Sequence, residues 1–289
     1  MQETKSARSW WSRIPVSIRA VVSGLLIGLI AANIWPLFLF RFSVPLAATL
    51  EIFFLVLYIW WAAGGGSPRK TQSARAWSFR RGRFSPRQWF WGILAAILFA
   101  VTIHASIVFL FRIIPFPAAA FRRGYNLSFI PTLPLRWIAV VISALSAGIC
   151  EETGFRGYMQ RPIEQRHGTA VAILVSSLFF TAVHMSKGWA LLAMVPIVFG
   201  AGILLGLLAW ASQSLIPGFI GHTIMDVGLF AYWWTDTAGT FNQQTIGVTG
   251  LDLHFAITCA VLIAALTGVL FSISQLRRLS PLPRVAVSL

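Results

Sequence analysis

Apolar runs of about the length needed to cross a bilayer, roughly 20 residues, recur along the chain at 21–40, 44–63, 88–111, 135–160, 169–186, 189–210, 214–234 and 253–275. The pattern predicts eight membrane helices and an all-α, polytopic membrane fold. The fourth run differs from the others. Its apolar part ends at Cys150, and helical periodicity must carry it through Glu151-Glu152-Thr153-Gly154-Phe155-Arg156-Gly157. Charged groups inside lipid are costly and are kept there mostly for a task, so this run predicts a polar cavity within the membrane.

Breaks in the apolar pattern divide the chain further. Gly64-Gly65-Gly66-Ser67-Pro68 marks a loop. It separates a basic N-terminus (1–20) and a two-helix hairpin (21–63) from a basic loop (64–87), a six-helix body (88–275) and a basic tail (276–289). The first run follows Lys5, Arg8, Arg13 and Arg19 and superficially resembles a signal peptide. It is longer than an h-region and lacks a small-residue cleavage site, which predicts a retained span. Gly24 with Gly28, and Gly202 with Gly206, are spaced for close helix packing within the chain.

Composition agrees with this pattern. Hydrophobic residues make up 57% and charged residues 11%, where a soluble domain would carry about a quarter charged. The formal charge of +15 raises nucleic acid as a partner, but the basic residues lie between apolar runs and leave no soluble basic domain to bind it. They suit loops facing anionic lipid. Arg69, Lys70, Arg75, Arg80, Arg81, Arg83 and Arg87 in one loop, and Arg277, Arg278 and Arg284 in the tail, predict cytoplasmic N- and C-termini in a plasma or inner membrane. The loop 235–252, with Asp236 and Asp252 and no basic residue, then lies outside. Arg122 and Arg123 are the misfit. Trp60, Trp61, Trp89, Trp91, Tyr232, Trp233 and Trp234 fall near span ends, as interfacial belts require. Cys150 and Cys259 form neither a disulfide framework nor a metal motif and read as small buried hydrophobes.

The chemistry-bearing residues come in pairs. Glu152 and Arg156 are four apart and share a helix face, so they can form an ion pair. Glu151 lies about 100° around the helix and is left to act as a base toward a cavity. Phe180 and His184 share a face of the fifth helix, and His222 and Asp226 a face of the seventh. Taken singly, the acidic stretch also reads as a solvated helix end, and each histidine as a hydrogen-bonded packing residue, as does His104. Helix rise brings them together. With the fourth helix reaching the cytosol near 161, Glu151 stands about 15 Å above the inner surface, His184 about 24 Å, His222 about 13 Å and Asp226 about 20 Å. All four fall in a band about 10 Å thick, within reach of side chains and modest tilt. Glu51, in the second span, reads either as part of an ion path or as an acid snorkelling to the outer surface.

The ordered set Glu151-Glu152-x-x-x-Arg156, Phe180-x-x-x-His184 and His222-x-x-x-Asp226 resembles the three motifs of the CPBP (Abi) family. These are the CAAX proteases and bacteriocin-processing enzymes, also called type II CAAX prenyl endopeptidases or glutamic intramembrane proteases. Gly157 after Arg156 strengthens the likeness, which covers about 135–235. The resemblance implies a membrane-embedded hydrolase with catalytic Glu151, His184, His222 and Asp226 and supporting Glu152, Arg156 and Phe180. Glu151 and His184 would activate a water for attack on a peptide carbonyl, and His222 with Asp226 would stabilise the oxyanion. It implies a protein or peptide substrate, lipidated or not, and neither cofactor nor metal. The best-known members have asparagine at the position of Asp226. Aspartate also occurs in the family, and since an ionised aspartate cannot donate to an oxyanion, Asp226 is either protonated by its environment or, the favoured role, orients His222 as the donor.

Two other readings stay open. A metal-dependent hydrolase is one, because the same four side chains are zinc-ligand types. A non-catalytic transporter or assembly factor is the other, since buried acids and histidines also form proton relays. No internal repeat supports a transporter. HExxH and GxSxG are absent, and the spans offer Asp226 as their sole aspartate.

Overall fold

A computed structural model describes residues 10–80, 82–122, 126–185 and 189–280. Lys5, Arg8, Arg81, Arg123 and Arg284, which enter the charge argument, lie outside the described residues. Every regular element among those described is helical. Among the described residues six helical stretches are long and apolar enough to cross a membrane: Val16–Arg41, Val44–Ala62, Pro86–Ile113, Leu133–His167, Leu192–Ser212 and Leu253–Leu279. The protein is an integral, multi-pass membrane protein.

The helices that position the site are α1 (Val16–Ala32), α2 (Ile34–Arg41), α3 (Val44–Ala62), α4 (Gln72–Ser78), α5 (Pro86–Ile113), α6 (Leu133–Glu152), α7 (Arg161–His167), α8 (Thr169–His184), α9 (Val195–Ser212), α10 (Ile216–Gly228) and α11 (Leu253–Leu279). The fifth and seventh predicted passes are shorter as regular α-helix than the apolar pattern suggests. α8 has 16 residues and α10 has 13, the latter continuing as a π-helix over Leu229–Trp234. The first pass is also broken, at Asn33 between α1 and α2.

Local chemistry sets the boundaries. Pro45, Pro134, Pro196 and Pro217 sit in the first turns of α3, α6, α9 and α10, and Pro86 opens α5. There the missing N–H costs nothing and the fixed φ suits the helix. Ser85 and Gln88 form a reciprocal capping box on α5. Asp252 caps α11 by accepting from the Phe255 N–H at 2.8 Å.

The interior is packed with small and aromatic residues, and the outer faces carry large apolar ones. Leu26 and Ile30 on α1, Phe53 and Val56 on α3, and Ile263 and Phe271 on α11 are exposed, as lipid-facing side chains must be in a protein whose backbone polar groups are satisfied within helices. Glu51 does not snorkel. It is fully buried on α3, which packs against α6.

Two polar clasps tie the ends of the bundle. On one side Arg112 of α5 grips Asp252 at 2.7 Å and reaches His254 and Thr249. On the other, the buried Arg80 joins Glu164 of α7 at 2.6 Å and donates to the Arg156 carbonyl at 3.2 Å. Arg122, the misfit in the charge pattern, pairs with Asp236 at 2.7 Å. Its charge is thereby answered on the acidic side.

Candidate active site

The acidic motif lies where the fourth pass changes geometry. α6 ends at Glu152, and Thr153–Gln160 is a π-helix that passes into α7, so one continuous helical pass runs from Leu133 to His167. π-helical turns are rare and recur at functional sites. Thr153 Oγ1 donates back to the Ile149 carbonyl at 2.7 Å. The stretch packs on α1 with almost no spacing. A Cβ on Gly154 would lie 2.5 Å from the Gly24 carbonyl oxygen and 2.7 Å from Gly28 Cα. The Gly24–Gly28 pair thus packs within the chain.

This packing draws Glu152 and Arg156 fully inside, with a 3.2 Å separation between Arg156 Nη1 and Glu152 Oε1. The guanidinium also donates to the Gly202 carbonyl of α9 at 3.3 Å and lies 4.5 Å above the Phe180 ring. Phe180, 2% exposed, is the hub of the cluster. Its ring meets Phe155 edge-on at 5.3 Å, His184 at 4.5 Å and His222 at 5.9 Å. A flat apolar ring in contact with a cation and two imidazoles fixes ring orientation without supplying a reactive group.

Glu152 also accepts a hydrogen bond from His222 Nδ1–H at 3.0 Å, a link that the pairwise sequence patterns do not contain. Gly218, one turn before His222, makes room for it, since a Cβ there would stand 3.0 Å from Glu152 Oε2. With Nδ1–H engaged, His222 Nε2 faces Asp226 Oδ2 at 3.5 Å. Asp226 is therefore placed beside the ring nitrogen that Glu152 leaves for the cavity. His104 Nε2–H donates to the Met225 carbonyl at 3.1 Å, next to Asp226.

Glu151 turns away from Glu152, toward His184. His184 Nδ1–H donates to the Phe180 carbonyl at 2.7 Å, and Nε2 stands 3.8 Å from Glu151 Oε2. That gap exceeds a direct hydrogen bond, and polar groups so spaced are commonly bridged by water. Glu151, His184, His222 and Asp226 all line one cavity of about 410 Å³. Glu151 and His184 are the more open pair, with side chains 14% and 22% exposed. Among the described residues no three His, Cys, Asp or Glu side chains are grouped as a metal site would require.

Other lining residues went unflagged in the sequence. Asn33 and Trp35, at the break between α1 and α2, form part of the wall, and Trp35 Nε1–H donates to Ser143 Oγ of α6 at 2.6 Å. A polar residue and Pro36 interrupting an apolar run were the available signal. Ile103, Met194 and Phe230 make the remaining wall largely apolar.

The fold and cavity define a polytopic membrane protein with acids, imidazoles and an arginine gathered inside its helical bundle. Residues 131–228 match the family model described as Rce1-like: type II CAAX prenyl endopeptidase Rce1-like. The family resemblance read from the sequence is borne out over that stretch. Neither a curated protein nor a solved structure shows significant similarity to the chain.

Proposed function

We propose that the protein is an intramembrane endopeptidase of the glutamic type, cleaving a peptide bond of a membrane-associated or lipidated protein or peptide. The observation that supports this most is the Glu151–His184 pair. A carboxylate and an imidazole face one another at 3.8 Å across the cavity wall, and the His184 tautomer is set by the Phe180 carbonyl. A water between them has two acceptors and is positioned for deprotonation as it attacks a carbonyl. His222 is the proposed oxyanion partner, donating from Nε2 when protonated. Asp226 orients it and Glu152 anchors its far nitrogen. Arg156 balances Glu152 and rests on Phe180. The water supplies the hydroxyl that adds to the carbonyl carbon, and its proton passes through the Glu151–His184 pair to the leaving amine. The proposed orientation places both termini in the cytoplasm.

The test is peptide cleavage by the purified full chain. Glu151→Gln and His184→Ala should abolish cleavage while leaving the unfolding profile of the detergent-solubilised protein intact. Full activity in either folded variant overturns the mechanism. Activity that a chelator removes and zinc restores would instead favour metal-assisted hydrolysis. Comparing the proteomes of wild-type and Glu151→Gln cells would identify the substrate.

A further inference from the structure

A second cavity, of about 680 Å³, lies away from the site at the basic end of the bundle. It runs along α1, where Val16, Ala20, Ser23 and Ile27 form one stripe about 16 Å long by helix rise. Trp61, Trp77 and Tyr158 add ring surface to the wall. The lining therefore combines an apolar stripe with cationic side chains. Arg19, Arg75 and Arg166 are the charged members among the described residues, which include no carboxylate in the lining.

Among the described residues no carboxylate answers this local charge. Arg75 is buried and spends its guanidinium on the carbonyls of Trp61, Gly65, Gly66 and Pro68, all neutral acceptors. Arg161, next along α7, lies 5.0 Å over the Trp77 ring. Glu164 of α7 is engaged by Arg80 at 2.6 Å and by Gln160 at 2.8 Å. Ser17 and His167 meet at 2.7 Å and join the start of α1 to the end of α7, so the elements carrying Arg19 and Arg166 share one rim. Arg19 Nε is buried without a hydrogen-bond partner among the described residues.

We propose that this groove binds one anionic phospholipid, its phosphate held by Arg19 and Arg166 with Arg75 adding charge, and one acyl chain along the Val16–Ile27 stripe. The volume lies within the range of ligand pockets. Ser23 and Ile27 lie about one and two turns further along α1 than Arg19, which sets apolar wall beyond the cations as an acyl chain follows its headgroup. Basic pockets between membrane helices on the positive side suit anionic headgroups. A zwitterionic lipid would bring its own cation to a rim already in positive excess.

The test is native mass spectrometry of the full chain with dioleoyl phosphatidylglycerol and dioleoyl phosphatidylcholine in competition, with thermal unfolding in parallel. The wild type should retain one phosphatidylglycerol preferentially and unfold at higher temperature with it. Arg19→Gln with Arg166→Gln should reduce that preference about 30-fold, a factor of about five for each arginine at a membrane surface. Arg83→Gln with Arg278→Gln, outside the groove lining, should leave it unchanged. Should the first pair fail to fold, Ser23→Phe fills the stripe with the charge kept and should remove the same preference. The proposal is overturned if the wild type does not discriminate, if both arginine pairs lower binding equally, if Ser23→Phe binds as the wild type does, or if inorganic phosphate alone stabilises as well as the lipid.

Discussion

Arg156→Met tests whether the buried ionic network holds the cavity in shape. Arg156 and Glu152 are both fully buried at 3.2 Å, where an effective dielectric near 20 gives an attraction of about 5 kcal/mol. Desolvation offsets much of that, so the pair as a whole adds little. Removing one partner is a different matter. It leaves the Glu152 carboxylate buried with His222 Nδ1–H, 3.0 Å away, and such breakage costs about 3–5 kcal/mol. Methionine keeps the unbranched stem and its contact with Phe180, so a new cavity contributes little. The double variant Glu152→Leu with Arg156→Met removes both charges, and its main loss is the acceptor of His222, about 1–3 kcal/mol. It should therefore be more stable than Arg156→Met alone. Denaturant or thermal unfolding of the wild type, both single variants and the double variant in one detergent completes the cycle. If the two single losses add to the double within about 0.5 kcal/mol, the network does not couple these residues and the reasoning fails.

Three further outcomes follow from the geometry. Asp226→Ala should lower kcat about 100-fold, the scale of one lost oxyanion-site interaction, whereas Asp226→Asn should stay within about tenfold of wild type because its amide can accept from His222 or donate to the oxyanion. Equal losses in the two variants would refute the orienting role. Gly154→Ala should destabilise the fold by about 1–3 kcal/mol through overpacking against Gly24 and Gly28, read as a lowered unfolding temperature, and wild-type stability would refute the close approach. Asp252, at the end of α11, is held well below the usual carboxylate range by hydrogen bonds from Arg112 and the Phe255 amide. A depressed carboxylate contributes stability above its unfolded pKa and loses it as pH falls toward the folded value. The stability gap between wild type and Asp252→Asn should therefore be constant from neutral pH down to about 4 and narrow only in stronger acid. A gap that shrinks between pH 8 and 5 would show that another group sets it.

Much of the architecture follows from local sequence alone, because lipid demands apolar stretches of fixed length with internally satisfied backbone. The long apolar helices, the basic loops and the helical spacing of Glu152 with Arg156, Phe180 with His184 and His222 with Asp226 all arise this way. Periodicity also separates Glu151 from Glu152, and the structure turns the two carboxylates toward different histidines. The His222–Glu152 bond is a contact between α6 and α10, 70 residues apart, and no periodicity within one helix can specify it. Within the π-helix over Thr153–Gln160, Gly154 meets Gly24 and Gly28. Backbone meets backbone there only after α1 has docked. Glu51 illustrates the same limit. Its place along α3 was readable, but whether it met lipid, water or α6 was not, because burial is decided by which helix faces which. Sequence fixed the identity and helix face of the reactive side chains, and tertiary packing decided their partners, since ion pairs and hydrogen bonds inside a membrane form between helices whose neighbours the local pattern does not name.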